Sequence, residues 1–353
     1  MNLKRTSLKV LIPVISIFCA ILAGAILISA SGGNPIEAYT YLFKGAFGNT
    51  KNFTQTLIKA TPLIFTGLAA TFAYRCGVFN LGGEGQFVIG AIASIWISTT
   101  IKSISGCPLV IISLIGGAIA GGIWGAIPGI LKIIRGLNEM IVSIMLNYIA
   151  ILLMGYLYTG PLREGNVPQT AAVADNLKLG RIGTSLYSGF IIAIIIAIII
   201  FYFLYYTSNG FKLSSVGLNY VASKFNGFPV KKYMLFAFIV SGAISGLGGG
   251  VELHGVQYRL MSGFGNGYGF DGVAIALIGQ LNPIGTVLVA YLFAVLRTGA
   301  TTMQVGTGLP TSVIDIIQGL VIVFAVAGSA LVNIPTLKQL FINFTSKKPA
   351  REA

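Results

Sequence analysis

A chain of 353 residues that is 55% hydrophobic and only 9% charged, with a mean hydropathy of +0.86, is not a soluble domain, in which roughly a quarter of residues carry charge. Its net charge of +14 does not point to nucleic acid, because the lysines and arginines are scattered among short loops with no aromatic-interleaved patch. Several apolar runs approach the roughly 20 residues that cross a bilayer, so the chain reads as an all-α polytopic membrane protein. Its 46 glycines favour close helix packing in lipid, and Cys19, Cys76 and Cys107 have no metal-type spacing.

Met1–Lys9 carries Lys4, Arg5 and Lys9 ahead of the apolar run Val10–Ala30. Ser29-Ala30-Ser31 resembles a signal-peptidase site, but the run is longer than the usual h-region of about 7–15 residues, so a retained first helix with a cytoplasmic N-terminus is expected. Ser31–Asn52 is then an outer segment, with Glu37–Phe47 along the interface. Phe53–Tyr74 returns inward and Phe87–Ser98 goes out again. Between them Arg75–Ala91 holds Asn80, Glu84 and Gln86 among glycines 77, 82, 83 and 85. Polar groups and glycines at membrane depth predict an interrupted helix, a device by which transport proteins build a pathway.

After a short outer loop at Thr99–Cys107, Pro108–Leu131 places Gly117, Gly121, Gly125 and Gly129 on one face, a packing stripe. Lys132 and Arg135 mark the inner side. Leu137–Tyr158 crosses outward and ends on Tyr156 and Tyr158 as interfacial anchors. Pro161–Ser185 is a polar outer loop, and Leu186–Tyr206 is a helix facing lipid on most sides. Thr207–Lys232 is an inner loop with Lys212, Lys224, Lys231 and Lys232 and no acidic residue. Tyr233–Glu252 crosses outward with Gly242, Gly246 and Gly250 on one face. Val256–Gly269 is glycine-rich and irregular, and Phe270–Gln280 is too short to span alone. Leu281-Asn282-Pro283 breaks the chain, Ile284–Thr298 goes outward, and Ser312–Leu331 returns before a basic tail at 335–353.

Of the 23 basic residues, 14 fall on inner segments and seven on outer ones, which predicts both termini in the cytoplasm. About ten membrane segments follow, two of them broken or re-entrant, in a single transmembrane domain over 1–334. A faint internal echo accompanies them: Glu84-Gly85 and Asp271-Gly272 each precede an apolar half-helix, a pattern that either marks a repeat or arises by chance on glycine-rich sequence.

Only nine residues are acidic, so those inside the membrane draw attention, above all Glu84, Asp271 and Asp315. Glu139, Ser143 and Asn147 recur at i+4 within roughly an 80° arc. They either line a hydrophilic pathway, or Glu139 caps its helix and Asn147 bonds a neighbour. Glu84 likewise either lines the path or accepts from backbone N–H groups at the start of its half-helix. Asn80, Gln86, Gln280 and Asn282 are amides suited to hydroxyls or base edges. His254 has no metal-binding partner, no Ser-His-Asp grouping is visible, and no Gly-Lys pair exists from which a phosphate-binding P-loop could be built.

Gly77-Val-Phe-Asn-Leu-Gly-Gly-Glu-Gly-Gln-Phe resembles the membrane signature of permeases of the ribose/branched-chain amino acid class of ABC importers. Leu137-Asn-Glu-Met-Ile-Val-Ser-Ile-Met-Leu-Asn-Tyr-Ile and Ala276-Leu-Ile-Gly-Gln-Leu-Asn-Pro-Ile-Gly are similar to the nucleoside-import branch, which is served by a lipoprotein receptor of the basic-membrane-protein type. The resemblance implies a bacterial plasma-membrane subunit with no cofactor of its own. It would form half of a translocation path with a second permease, usually a different chain, above two ATP-binding subunits that hold ATP and Mg. It implies an ATPase-docking helix around Gly217, Leu218, Asn219, Lys224 and Gly227. The family's Arg-Ala-Val-Gly-like entry is replaced here by Ser214-Ser-Val-Gly, so its basic residue is absent. A nucleoside moved by alternating access is the function implied. An ion-coupled secondary transporter, a membrane scaffold, and a sugar or amino-acid permease are the rival readings.

Overall fold

The computed structural model describes residues 18–182, 186–265, 267–310 and 312–331. The expectations for Met1–Lys9, for the start of the first helix, for Asn266 and for the tail 335–353 lie outside the described residues. Among the described residues the fold is all-α apart from one two-stranded ribbon. Its helices are α1 (described from Phe18 to Ala30), α2 (Pro35–Phe47), α3 (Thr50–Arg75), α4 (Gly83–Thr100), α5 (Cys107–Arg135), α6 (Glu139–Thr159), α7 (Gly189–Tyr206), α8 (Ser208–Leu218), α9 (Tyr220–Phe225), α10 (Val230–Glu252), α11 (Tyr268–Ile278), α12 (Pro283–Thr307) and α13 (Ser312–Leu331).

Among the described residues six of these are long and apolar enough to cross a membrane unbroken: α3, α5, α6, α7, α10 with its extension to Gln257, and α12. A seventh arises if α1 and α2, bent by 119°, form one broken span. The sequence reading counted about ten by including half-helices. Of these, α11 has only 11 residues and α4 opens with Glu84 and Gln86 in its first turn.

Other boundaries moved for local reasons. Leu186–Tyr187 does not begin α7 but pairs antiparallel with Arg181–Ile182. The segment Thr207–Lys232, expected as an inner loop, folds into α8 and α9 before α10 begins, the two short helices capped by Thr207 accepting from Gly210 N–H at 3.0 Å and Asn219 accepting from Ala222 N–H at 2.9 Å. α12 runs on past Thr298 to Thr307, since nothing between them breaks a helix. α10 passes into a π-turn at Leu253–Gln257, and Tyr258 then takes φ 59°.

The described residues form two compact units, one within 46–298 and the other from 18–45 with those of 299–331. In the terminal unit α2 crosses the end of α12 on small residues. A Cβ on Gly45 would lie 2.6 Å from Thr302 Cβ, and one on Gly306 2.6 Å from the Tyr41 ring.

In the larger unit α3 is buried along most of its length, chiefly against α10 and α11, while α4, α5 and α10 pack on one another. The two predicted glycine stripes face each other. A Cβ on Gly242 would strike the Gly121 carbonyl, one on Gly246 would lie 2.5 Å from the Gly117 oxygen, and one on Gly125 2.6 Å from the Phe238 oxygen. With so little lost surface to bury in lipid, backbone-to-backbone van der Waals contact is what holds these helices. Both loops expected on the outer side join. Thr170 N–H donates to Leu260 O at 3.1 Å, Val173 N–H to Tyr258 O at 2.7 Å and Leu179 N–H to His254 O at 2.9 Å. His254 Nδ1 lies 2.9 Å from Leu177 O, which gives the lone histidine a structural place in this cap.

Candidate functional site

The expected interruption falls at Cys76–Gly82, between α3 and α4. α3 ends because Gly77 adopts φ +73°, where a side chain would be strained. Gly77 N–H then reaches Tyr74 O at 3.0 Å and Val78 N–H reaches Ala73 O at 3.3 Å, which occupies the last carbonyls of the helix. The chain turns back through Asn80. The Asn80 amide nitrogen donates to Gln86 Oε1 at 3.0 Å and to Ser241 Oγ at 2.9 Å, while its oxygen accepts from Gln86 Nε2 at 3.0 Å and Gly82 N–H at 2.9 Å. Asn80 and Gln86 thus satisfy each other in a buried, reciprocal pair.

Glu84 is 3% exposed. Its partners are backbone N–H groups, as one of the two readings held, but they belong to α11 and not to its own half-helix. Gly267 N–H donates to one carboxylate oxygen and Gly269 N–H to the other, both at 2.7 Å. The negative charge sits on the positive end of α11, where the helix dipole and unsatisfied donors favour an anion. Backbone proximity makes this possible: a Cβ on Gly269 would collide with the Glu84 nitrogen, and the ideal Cβ of Gly83 lies 3.5 Å from Gly269 Cα. The N-termini of the two half-helices meet.

The start of α4 is served from α6. Asn147 Oδ1 accepts from Gly85 N–H at 2.8 Å, and its amide nitrogen donates to Leu81 O at 2.9 Å. Ser245 Oγ adds a bond to Gly83 O at 2.6 Å. Glu139, Ser143 and Asn147 do share one face, and it is the buried face of α6. Glu139 does not cap the helix, because Asn138 takes that place by accepting from Met140 N–H at 2.9 Å. Glu139 instead pairs with Lys132. Ser143 is buried between the two, away from the break.

Asp271 lies in the first turn of α11 and pairs with Arg297 of α12 at 2.6 Å. The Arg297 guanidinium also lies 5.2 Å from the centre of the Tyr268 ring, and Lys59 Nζ donates to the Arg297 carbonyl at 3.2 Å. Gln280 and Asn282 occupy the turn into α12. Gln280 and Leu281 take φ 55° and 53°, and Asn282 Oδ1 accepts from Ile284 N–H at 3.0 Å to start α12. Asp315 is exposed at the start of α13 in the other unit. The structure therefore gathers Asn80, Glu84, Gln86 and Asn147 at one node, with the Asp271–Arg297 pair beside it. Glu139, Ser143, Gln280 and Asn282 lie elsewhere.

Two arginines belong to this arrangement and were not selected from the sequence. Arg297 pairs Asp271, and Arg75 donates from Nε to Leu281 O at 2.9 Å and from its guanidinium to the Tyr205 hydroxyl. Both carry the signal of a charge inside an apolar segment. The hairpin α8–α9 touches the turn after α3, which leads into the node. A Cβ on Gly217 would fall on the Arg75 carbonyl and 2.8 Å from the Gly77 nitrogen. Beyond that contact Leu218 and Phe225 are each 88% exposed, with Lys224 between them also exposed. Gly227 closes α9 at φ +76°.

Residues 52–326 match the family described as the permease component of branched-chain amino acid transport systems. The guanosine ABC transporter permease protein NupP of Bacillus subtilis is 36% identical over 335 residues, covering 93% of this chain and 96% of that protein. The nucleoside ABC transporter permease protein NupB of Lactococcus lactis subsp. cremoris is 34% identical over 98% of both chains. The glucose ABC transporter permease protein TsgB13 of Haloferax volcanii is 31% identical, covering 89% of this chain and 86% of its own.

Proposed function

The chain belongs to the permease-component family of the branched-chain amino acid transport systems, and from that premise we propose that it is one permease subunit of an ATP-driven importer whose cargo is a nucleoside. The observation that carries the cargo is near full-length similarity to permeases named for guanosine and for nucleosides. Its partners are a second, different permease chain, an ATP-binding subunit that holds ATP and Mg, and a substrate-binding lipoprotein. The chain sits in the bacterial plasma membrane with both termini cytoplasmic. It forms one transmembrane domain over 1–334 that enters the bilayer about ten times, with α4 and α11 as half-helices.

The mechanism is alternating access driven through α8–α9. Exposed Leu218 and Phe225 offer an apolar surface to the ATPase, and Gly217 lies backbone to backbone on the turn after α3. Displacement of the hairpin therefore displaces Cys76–Gly82. From there it passes into α4 through Asn80 and Gln86, and into α11 through Glu84. In this reading the buried polar residues act on the path by positioning two half-helices as a unit, and cargo does not need to touch them. A sugar as cargo is the second reading, favoured by the similarity to the glucose permease.

The test is uptake of labelled nucleoside into proteoliposomes that hold this chain with its candidate permease, ATPase and receptor, with and without internal ATP. Uptake that requires both ATP and receptor is expected. Uptake that ignores ATP and follows an ion gradient overturns the class, and ATP-driven glucose uptake without nucleoside uptake overturns the cargo.

A further inference from the structure

Where α7 ends and α10 begins, the larger unit holds a cavity of about 290 Å³ lined by Phe203, Asn209, Pro229, Lys232, Tyr233 and Phe236. Its floor is aromatic. The Phe203 and Phe236 rings lie 6.1 Å apart, and both stack around Phe72, at 5.6 and 6.0 Å. Its rim is polar. Tyr233 Oη donates to Asn209 Oδ1 at 3.0 Å, which fixes the amide and leaves its nitrogen to donate. Lys232 and the adjacent Lys231 are exposed.

Three features together identify the occupant. First, the cavity lies at the ends of two membrane spans, and Tyr202, Tyr205 and Tyr206 are exposed at the same end of α7. Tyrosines in that position mark headgroup depth, so the cavity opens where acyl chain gives way to phosphate. Second, one wall suits methylenes and the other suits an anion, and the volume of about 290 Å³ lies just under the roughly 300–1,000 Å³ usual for sites that enclose a whole ligand, enough for a headgroup and the start of a chain. Third, Thr207–Lys232 carries four lysines and no acidic residue, so no carboxylate of this segment competes for the ammonium groups. We propose that this cavity binds an anionic phospholipid, its phosphate on Lys232, Lys231 and the Asn209 amide and the start of one acyl chain on Phe203 and Phe236. The leaflet rests on the topology proposed above; the chemistry does not.

The test is native mass spectrometry of the purified full chain with added phosphatidylglycerol or phosphatidylcholine of identical acyl chains. Selective retention of phosphatidylglycerol is expected, falling about fivefold in each of Lys231→Ala and Lys232→Ala and further in the Lys231→Ala/Lys232→Ala double variant. The Lys212→Ala/Lys224→Ala double variant removes the same charge from the same loop and leaves retention unchanged. Equal loss in the two double variants would mean a diffuse basic surface and overturn the site. So would equal retention of phosphatidylcholine, or full displacement by millimolar inorganic phosphate, which needs no acyl chain. Loss of the lipid on assembly with the ATPase would give the cavity to a protein surface and also overturn it. None of these readings depends on transport, so a failure here is distinct from a failure of the importer assignment.

Discussion

At the break between α3 and α4 the carboxylate of Glu84 crosses to α11, whereas at the break before α11 the carboxylate of Asp271 remains beside its own helix and meets Arg297. The two acids share a local spelling, each followed by glycine at the head of an apolar half-helix. One gives a cap to the other break; the other balances a cation. α4, having sent its own acid away, takes its cap from Asn147. An acid-glycine pair is thus no repeated site. Its work is set by what stands opposite, and the first break holds both half-helices while the second is held.

The largest effect that tests this asymmetry is Glu84→Ala. It removes two charge-assisted bonds and strands the buried Gly269 N–H and the half-buried Gly267 N–H, which costs about 4 kcal/mol. Glu84→Gln keeps one acceptor and recovers about half of that. Unfolding of the purified chain in mixed micelles measures both, and an equal loss from Asp271→Ala would end the distinction between the breaks. Next comes Gly217→Val, which forces a side chain into the Arg75–Gly77 backbone and costs about 2 kcal/mol by overpacking. In the assembled importer its mark is ATP hydrolysis that continues while uptake falls. Uptake and hydrolysis falling in proportion would show that the contact does not transmit.

Asp271→Asn is expected to cost less, about 1 kcal/mol, because the Arg297 side chain keeps 26% of its surface exposed and water replaces part of the lost pairing. Arg297→Met in the same chain should return most of it, since a pair removed together leaves no unbalanced charge. A double-mutant cycle reads that coupling. A cycle with no coupling would make Asp271 and Arg297 independent surface groups.

Much of this was legible in the sequence where the signal is local. Gly77, Gly82 and Gly83 around a run that cannot continue as helix placed the first break, and the i+4 glycines of α5 and α10 marked packing faces. What those faces touch is not local. Glu84 and Gly267 are separated by 183 positions, and no periodicity says that one carboxylate will serve the other helix. The polar stripe of α6 was visible too, yet a stripe facing α4 and a stripe facing water have the same spelling. The extra length of α12 and the ribbon at Leu186–Tyr187 were missed because apolar residues in the membrane carry little boundary information. Arg297 stood in plain view as a cation within a helix, but a lone charge in an apolar run does not say which acid it will meet.

The smallest effect lies away from the apolar spans, where the same acid-cation chemistry is exposed. In the cap formed by the loops around Leu177 and Tyr258, Lys178 stands 2.5 Å from Asp175 and 4.5 Å from the centre of the Tyr258 ring. The lysine's hydrogen bond, and then its charge, hold the Asp175 carboxyl below its ordinary value of 3.8. A depressed value means that the pair supports the cap above pH 3.8 and that this support is lost as the pH falls below it. Asp175 is fully exposed, so screening keeps the contribution small, in contrast to Glu84. Hydrogen exchange at Val173 and Leu179, whose N–H groups bond to Tyr258 and His254, reports on the cap. Asp175→Asn should speed exchange slightly well above pH 3.8 and make no difference well below it. A difference that persists in acid would trace to the shape of the side chain, and the charge would then have no part in holding the cap.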